Sequence, residues 1–301
     1  MKKLFLLLLL VLTQWSFAQE VNILSVEKIK DTNDGGYYHP KFSPGADYLL
    51  LTKMNYQGLV QYTLSDKSLK ILNHDPGAGY GVKMSADGSS ILYKKVELVQ
   101  NRRHNALVSQ NLQSGEKKVL VKATREPITA ELINSQPVYV QGKKMVKAPV
   151  KTSAPQQVIT IENQKMVLYT NGNRKEITPS GKDASYIWPS ISPDGKQIVY
   201  TVAGKGTFIC SVSGRNVVSI GKLNAPKWAG NNFLVGMDDK DNGEKIISSD
   251  VLIVSANGKL RKKIDAPEGV MAIYPAASAS GNKIAFSSQK GEIYIANVEL
   301  K

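Results

Sequence analysis

One repeated pattern constrains this chain more than anything else in it. Trp188-Pro189-Ser190-Ile191-Ser192-Pro193-Asp194-Gly195-Lys196-Gln197-Ile198-Val199-Tyr200 reads as strand, tight Asp-Gly turn, strand. Glycine accepts the positive φ that a short hairpin turn requires, and aspartate bonds to the local backbone. The pattern recurs as Phe42-Ser43-Pro44-Gly45-Ala46-Asp47 before Leu49-Leu50-Leu51, and as Met84-Ser85-Ala86-Asp87-Gly88 before Ile91-Leu92-Tyr93. It returns as Ala277-Ser278-Ala279-Ser280-Gly281 before Ile284-Ala285-Phe286. In every copy the apolar triplet starts six residues after the serine. Two degenerate copies fill the gaps, one over residues 127–140 and one at Pro226-Lys227-Trp228-Ala229-Gly230 before Phe233-Leu234-Val235.

Each copy leads into a second hairpin, for example Leu59-Val60-Gln61-Tyr62 with the turn Ser65-Asp66-Lys67, or residues 251–254 with Asn257-Gly258. No segment has the length or the period of a helix. Tandem units of four short antiparallel strands are the blades of a β-propeller. At about 40–50 residues per blade the length admits six blades or seven, and the six anchors point to six. The last copy stops at residues 293–298, one strand short, so residues 21–29 are expected to supply the missing strand and close the ring. The expectation is an all-β, six-bladed propeller of four-stranded antiparallel blades over residues 19–301. Its third repeat is the weak point, because residues 141–157 carry Lys143, Lys144, Lys147, Lys151, Pro149 and Pro155. They read as an extended loop or an edge strand blunted by Lys and Pro, with a basic contact arm as the alternative.

The Ser-Pro-Asp-Gly at Ser192 to Gly195, followed by an apolar strand, resembles the WD-repeat-like propeller of the TolB family. The other copies depart from it with Ser-Pro-Gly, Ser-Ala-Asp-Gly and Ser-Ala-Ser-Gly. The resemblance implies a six-bladed periplasmic propeller that acts by binding. The motif residues are turn formers and speak for fold, not for a site. The length leaves no room for the family's additional N-terminal domain, which is not expected here, so its role through a peptidoglycan-associated lipoprotein is not carried over.

Residues 1–18 have the layout of a cleaved secretory signal: Lys2 and Lys3, an apolar run from Leu4 to Leu12, then small residues at Ser16 and Ala18. The apolar run spans about half of the ~20 residues a bilayer requires. The mature chain is expected to begin near Gln19, to carry no membrane-spanning segment, and to be periplasmic or peripheral at the outer membrane. A single cysteine, Cys210, excludes an internal disulfide framework and reads as a small buried hydrophobe. The net charge is +14, with lysine spread along the repeats. Export makes nucleic acid an unsuitable target and leaves an acidic envelope surface or protein partner.

Catalytic patterns are scarce. There is no Gly-x-Ser-x-Gly pentapeptide, and the three histidines His39, His74 and His104 have no metal-ligand spacing. The stretch Asp238-Asp239-Lys240-Asp241-Asn242-Gly243-Glu244 is similar to a calcium loop but places lysine where an oxygen ligand belongs, and reads as a solvated hairpin tip. The chain is therefore expected to be a non-enzyme without metal or cofactor, a scaffold for an envelope protein in an outer-membrane complex or at the peptidoglycan. The alternative is a carbohydrate-active propeller, either a metal-assisted polysaccharide lyase or a glycan-binding protein. The binding face is expected where the hairpins joining second to third strands meet the connections between blades. On that face fall Tyr37, His39, Tyr56, Tyr80, Arg102, Arg103, His104, Arg125, Tyr186 and Met271. Tyrosine and arginine are enriched at binding hot spots.

Overall fold

The computed structural model describes residues 19–29, 36–148 and 155–301. The expected export signal of residues 1–18 lies outside these residues, as do Pro149 and Lys151 of the basic stretch. Seven antiparallel sheets are arranged in sequence order around an axis, so the ring has seven blades and not the expected six. Blades 1 and 2 cover residues 37–73 and 83–124, blades 3 and 4 residues 128–146 and 157–177, and blades 5 and 6 residues 186–221 and 224–263. Blade 7 combines residues 272–300 with Val21–Lys28.

The miscount lies in the third repeat, which is two blades of three described strands each. Their first hairpins turn through Asn134-Ser135 and Asn163-Gln164, all four residues at φ between 48° and 64°. Two consecutive left-handed residues make a type I′ turn, which needs neither the anchoring serine nor the glycine. Both hairpins therefore lack the pattern by which the other repeats are recognised.

Closure follows the sequence expectation. Val21–Lys28 pairs antiparallel with Ile293–Leu300, from Val21 opposite Leu300 to Lys28 opposite Tyr294, and Lys28 reaches Glu292 at 2.6 Å. The innermost strand of blade 7 is Ala272–Ala277, so the N-terminal strand is the outermost one.

The apolar triplets fill the second strand of the repeats and are nearly inaccessible on both faces, because each blade is sandwiched between two others. Strands buried on both faces read as continuous apolar runs and not as alternation. Separate apolar cores occupy the successive spaces between blades. Leu49, Leu51, Ala285 and Ile293 join blades 7 and 1, for example, and Val21, Phe233, Val251 and Phe286 join blades 6 and 7. The anchor serines hold the turns on the opposite face from the expected binding surface. Each Oγ accepts the backbone N–H five residues on: Ser43 from Tyr48, Ser85 from Ser90, Ser192 from Gln197 and Ser278 from Lys283.

Candidate binding face and channel

The inner strands repeat a local distortion that sequence spacing alone hides. His39, Trp188, Ala225 and Tyr274 each precede a proline and each adopts φ between 48° and 55°. A left-handed residue with a Cβ is uncommon, and one before proline is further restricted. At each of these positions the pairing with the second strand slips, so the inner strand bulges. The proline has no N–H to lose from the ladder there. Such repeated strain points to a role for what it positions.

What it positions is an aromatic cluster. His39 of blade 1 stacks on Tyr274 of blade 7 with ring centroids 3.9 Å apart, and on Tyr56 at 4.3 Å. Tyr56 meets Tyr80 edge-on at 5.1 Å, and the Lys94 ammonium lies 5.0 Å from the Tyr80 ring centre. Met237 supports the cluster, its sulfur accepting the Tyr274 N–H at 3.2 Å. Burial pushes the His39 imidazole down to about 4, with Lys227 adding to the effect, so it is a neutral aromatic ring at pH 7. Burial likewise raises the Tyr56 and Tyr274 hydroxyls. Trp188, at the equivalent position of blade 5, is 45% exposed.

Below this level the inner strands line the channel with one residue from each blade. Lys41 pairs opposite Leu50, Lys83 opposite Leu92, Glu131 opposite Val138, Thr160 opposite Val167, Ser190 opposite Val199, Lys227 opposite Val235 and Ala276 opposite Ala285. The charge of Lys227 on blade 6 interacts with Lys83 on blade 2 and Glu131 on blade 3. Residues on those blades meet only across the central channel. Lys83 pairs with Glu131 at 2.7 Å. The Lys227 side chain keeps access to water along the channel but is ringed by protein, and burial lowers its pKa. Burial brings the Lys41 ammonium down to about 7, with Lys83 and Lys227 opposing its charge and Glu131 favouring it.

Two long hairpins rise from the same face. Ser90–Val99 with Arg102–Asn111 forms the arm of blade 2, and Phe233–Asp241 with Ile246–Ser255 that of blade 6. Leu98, the most exposed large apolar side chain described at 74%, sits near the tip of the first, and exposed Ile247 sits on the second. Arg102 and Arg103 are exposed on the blade 2 arm, and His104 pairs opposite Glu97 with its Nδ1 3.0 Å from the Arg102 carbonyl. Arg125 is exposed on the connection to blade 3. Met271, its N–H bonded to Gln289 Oε1, lines a shallow groove with Ile247 and Gly269 beside the blade 6 arm.

The ten expected residues thus divide. His39, Tyr56 and Tyr80 share the aromatic cluster; Arg102, Arg103 and His104 share one arm; Arg125 and Met271 lie in blade connections. Tyr37 and Tyr186 do not belong to the accessible face. Tyr37 is buried in the core between blades 7 and 1. Tyr186 is fully buried, its hydroxyl donating to the Gly181 carbonyl and accepting the Ser180 N–H. The sequence reading passed over Trp188, Tyr274 and the three channel lysines. Their signal was present as X-Pro at a constant place in four inner strands, and as lysine two residues before the anchor position in blades 1, 2 and 6.

No three His, Cys, Asp or Glu side chains gather as a metal-holding group among the described residues. His39 is ringed by aromatic side chains. Asp241 and Asn242 spend their side-chain oxygens on the turn, accepting the N–H groups of Gly243, Glu244 and Lys245. Cys210 is buried, and burial pushes its thiol up to about 12, far from a reactive thiolate.

These blades and their closure define a β-propeller, and solved propellers are what the chain is similar to. A propeller domain of Cps50 (Swd1) from Myceliophteria thermophila superimposes with a TM-score of 0.56 at 13% identity, covering 93% of this chain and 100% of that one. TolB from Acinetobacter baumannii gives 0.54 at 15% identity over 78% of this chain. An oligogalacturonate lyase in complex with manganese gives 0.50 at 15% identity, covering 88% of this chain and 78% of that one. The chain spans about half (55%) the length of the TolB it matches. No protein-family model and no curated protein matches the sequence. At these identities the likeness speaks for the fold.

Proposed function

We propose that the protein is an exported, non-catalytic binding propeller that docks an envelope protein on the face carrying the two arms and the aromatic mouth. One observation carries the reading. Half of the twelve exposed large apolar and aromatic side chains among the described residues, Met54, Tyr80, Leu98, Val99, Trp188 and Ile247, lie on this one face. Exposed apolar surface rimmed by polar groups marks interaction sites. The flanking Arg102 and Arg103 bring the charged, amphipathic chemistry enriched at hot spots. The layout of residues 1–18 supports export, with the partner an outer-membrane complex or a peptidoglycan-associated protein. A carbohydrate-active role would draw on the stacked His39 and Tyr274 rings as a sugar platform, with the binding chemistry of the mouth and without a metal step.

The test compares capture from native envelope extracts by the mature chain and two variants. Arg102→Ala with Arg103→Ala and Leu98→Ser is expected to lose a partner that Lys196→Ala, on the opposite turns, retains at wild-type level. Equal loss in both, or loss only in Lys196→Ala, refutes the chosen face. A protein mass starting at Met1 in a fractionated native host refutes export.

A further inference from the structure

We infer that the central channel is a seat for a small dianionic oxyanion, held by Lys41, Lys83 and Lys227 beneath the aromatic mouth. The inference does not depend on which macromolecule occupies the outer face. The charges of Lys41, Lys83 and Lys227, on the inner strands of blades 1, 2 and 6, act on one another across the channel, with Glu131 the carboxylate among them. Glu131 is committed to Lys83 at 2.7 Å. Among the described residues neither Lys41 nor Lys227 has a hydrogen-bond acceptor or an ion-pair partner, although other lysines of the molecule, such as Lys28, Lys117 and Lys263, do.

Lys41 is half-buried with like charges of Lys83 and Lys227 acting on it, and ammonium groups that repel one another favour an anion between them. Fully charged, three lysines and one carboxylate leave two positive charges, which a dianion neutralises. Two of the remaining positions suit an oxyanion as well. Ser190 and Ala276 directly follow the X-Pro of their inner strands as Lys41 and Lys227 do, the first hydroxyl-bearing and the second small. Phosphate and a short dicarboxylate share this chemistry.

The seat carries its own proton signature. Without ligand, the groups acting on Lys41 are Lys83 and Lys227, which disfavour its charge, and Glu131, which favours it; the imidazole of His39 above is neutral. An anion beside Lys41 favours its charged form, so binding near pH 7–8 takes up a proton. At pH 5 Lys41 is already protonated, and binding there takes up none.

The experiment is calorimetric titration of the mature chain, residues 19–301, with inorganic phosphate and separately with succinate. It is run at low ionic strength, in two buffers of different ionisation enthalpy, at pH 7.5 and pH 5. The expected result is saturable one-to-one binding of at least one of the two anions, with proton uptake at pH 7.5 that is absent at pH 5, where succinate, largely singly protonated, instead releases a proton as it binds. Lys227→Met weakens binding at least tenfold, Lys41→Met does so and abolishes the uptake, Lys41→Arg restores binding without it, and Lys196→Met changes nothing. Removing a repelled charge is expected to leave Lys41→Met folded, with an unligated melting temperature no lower than wild type. Phosphate and succinate arms distinguish a tetrahedral ligand from a dicarboxylate. No saturable binding of either anion overturns the inference, and so does equal affinity in a folded Lys41→Met, Lys227→Met double variant.

Discussion

At the scale of single residues, two side chains carry more than their size suggests. Ser192 is buried, and its Oγ accepts the Gln197 N–H at 2.9 Å while donating to Asp194 Oδ1 at 2.6 Å. Ser192→Ala leaves the Gln197 amide with one partner fewer and the Asp194 carboxylate with only the Lys196 N–H and ammonium, a loss of about 1–2 kcal/mol. Urea unfolding is expected to show this as a lower midpoint at unchanged slope. His39 gives the molecule a pH dependence. Its folded pKa of about 4 lies below its usual 6.5, so between these values the unfolded chain binds the proton that the folded one refuses. This contribution to stability is complete above pH 6.5 and fades as the pH falls toward 4, by about 3 kcal/mol at most. His39→Phe keeps a ring for Tyr56 and Tyr274 to stack on. It is expected to flatten the pH dependence of stability measured from pH 4 to 6.5; an unchanged slope assigns it to other groups. Much at this scale was hidden in the sequence: the bulge before Pro40 shows there only as a dipeptide, and Tyr186 looked as available as Tyr56 although its hydroxyl is consumed inside a turn.

At the scale of elements, legibility followed the chemistry of the turns. Hairpins anchored by Ser43, Ser85, Ser192 and Ser278 were readable because one hydroxyl must sit at a fixed distance from the amide it captures. The hairpins of blades 3 and 4 turn through Asn-Ser and Asn-Gln, which satisfy their own backbone and leave no such mark. Their second strands carry apolar runs at Val138-Tyr139-Val140 and Met166-Val167-Leu168, and with no anchoring serine before either run the two read as halves of a single four-stranded blade. Blade 3 also buries less than its neighbours. The core between blades 2 and 3 rests on Leu92, Leu107, Val121 and Ile128, whereas that between blades 6 and 7 includes Phe233, Phe286 and Tyr294 among many more. Local opening is easiest where few buried apolar contacts hold an element. Hydrogen exchange followed by mass spectrometry is therefore expected to label peptides within 128–146 earlier than those within 157–177 and 186–221, which share the core of Met166, Leu168, Tyr186 and Tyr200. Uniform protection across all three is the contrary result.

At the scale of the whole molecule, the ring holds because its first strand is also its last. Val21–Lys28 buries Val21 in the core between blades 6 and 7, pairs along nearly the full length of Ile293–Leu300, and adds the Lys28–Glu292 ion pair at 2.6 Å. The ion pair is exposed and contributes little on its own; the ladder and the buried edge matter more. Without this strand, the edge from Ile293 to Leu300 presents unpaired N–H and C=O groups to solvent, the configuration that invites edge-to-edge aggregation. The loss is not local, because blade 7 also contributes Ala285, Ile293 and Ile295 to the core it shares with blade 1. A chain starting at residue 30 is expected to melt at a much lower temperature and to aggregate on heating. A cysteine pair replacing Ile23 and Val298, which lie opposite each other in the ladder, is expected to raise the melting temperature when oxidised and not when reduced. The engineered pair separates closure from the bulk of the deleted segment, since it alters two side chains and leaves the rest of the strand in place. Unchanged melting in the truncated chain, together with no redox dependence in the paired variant, would show that the other interblade cores hold the ring without it.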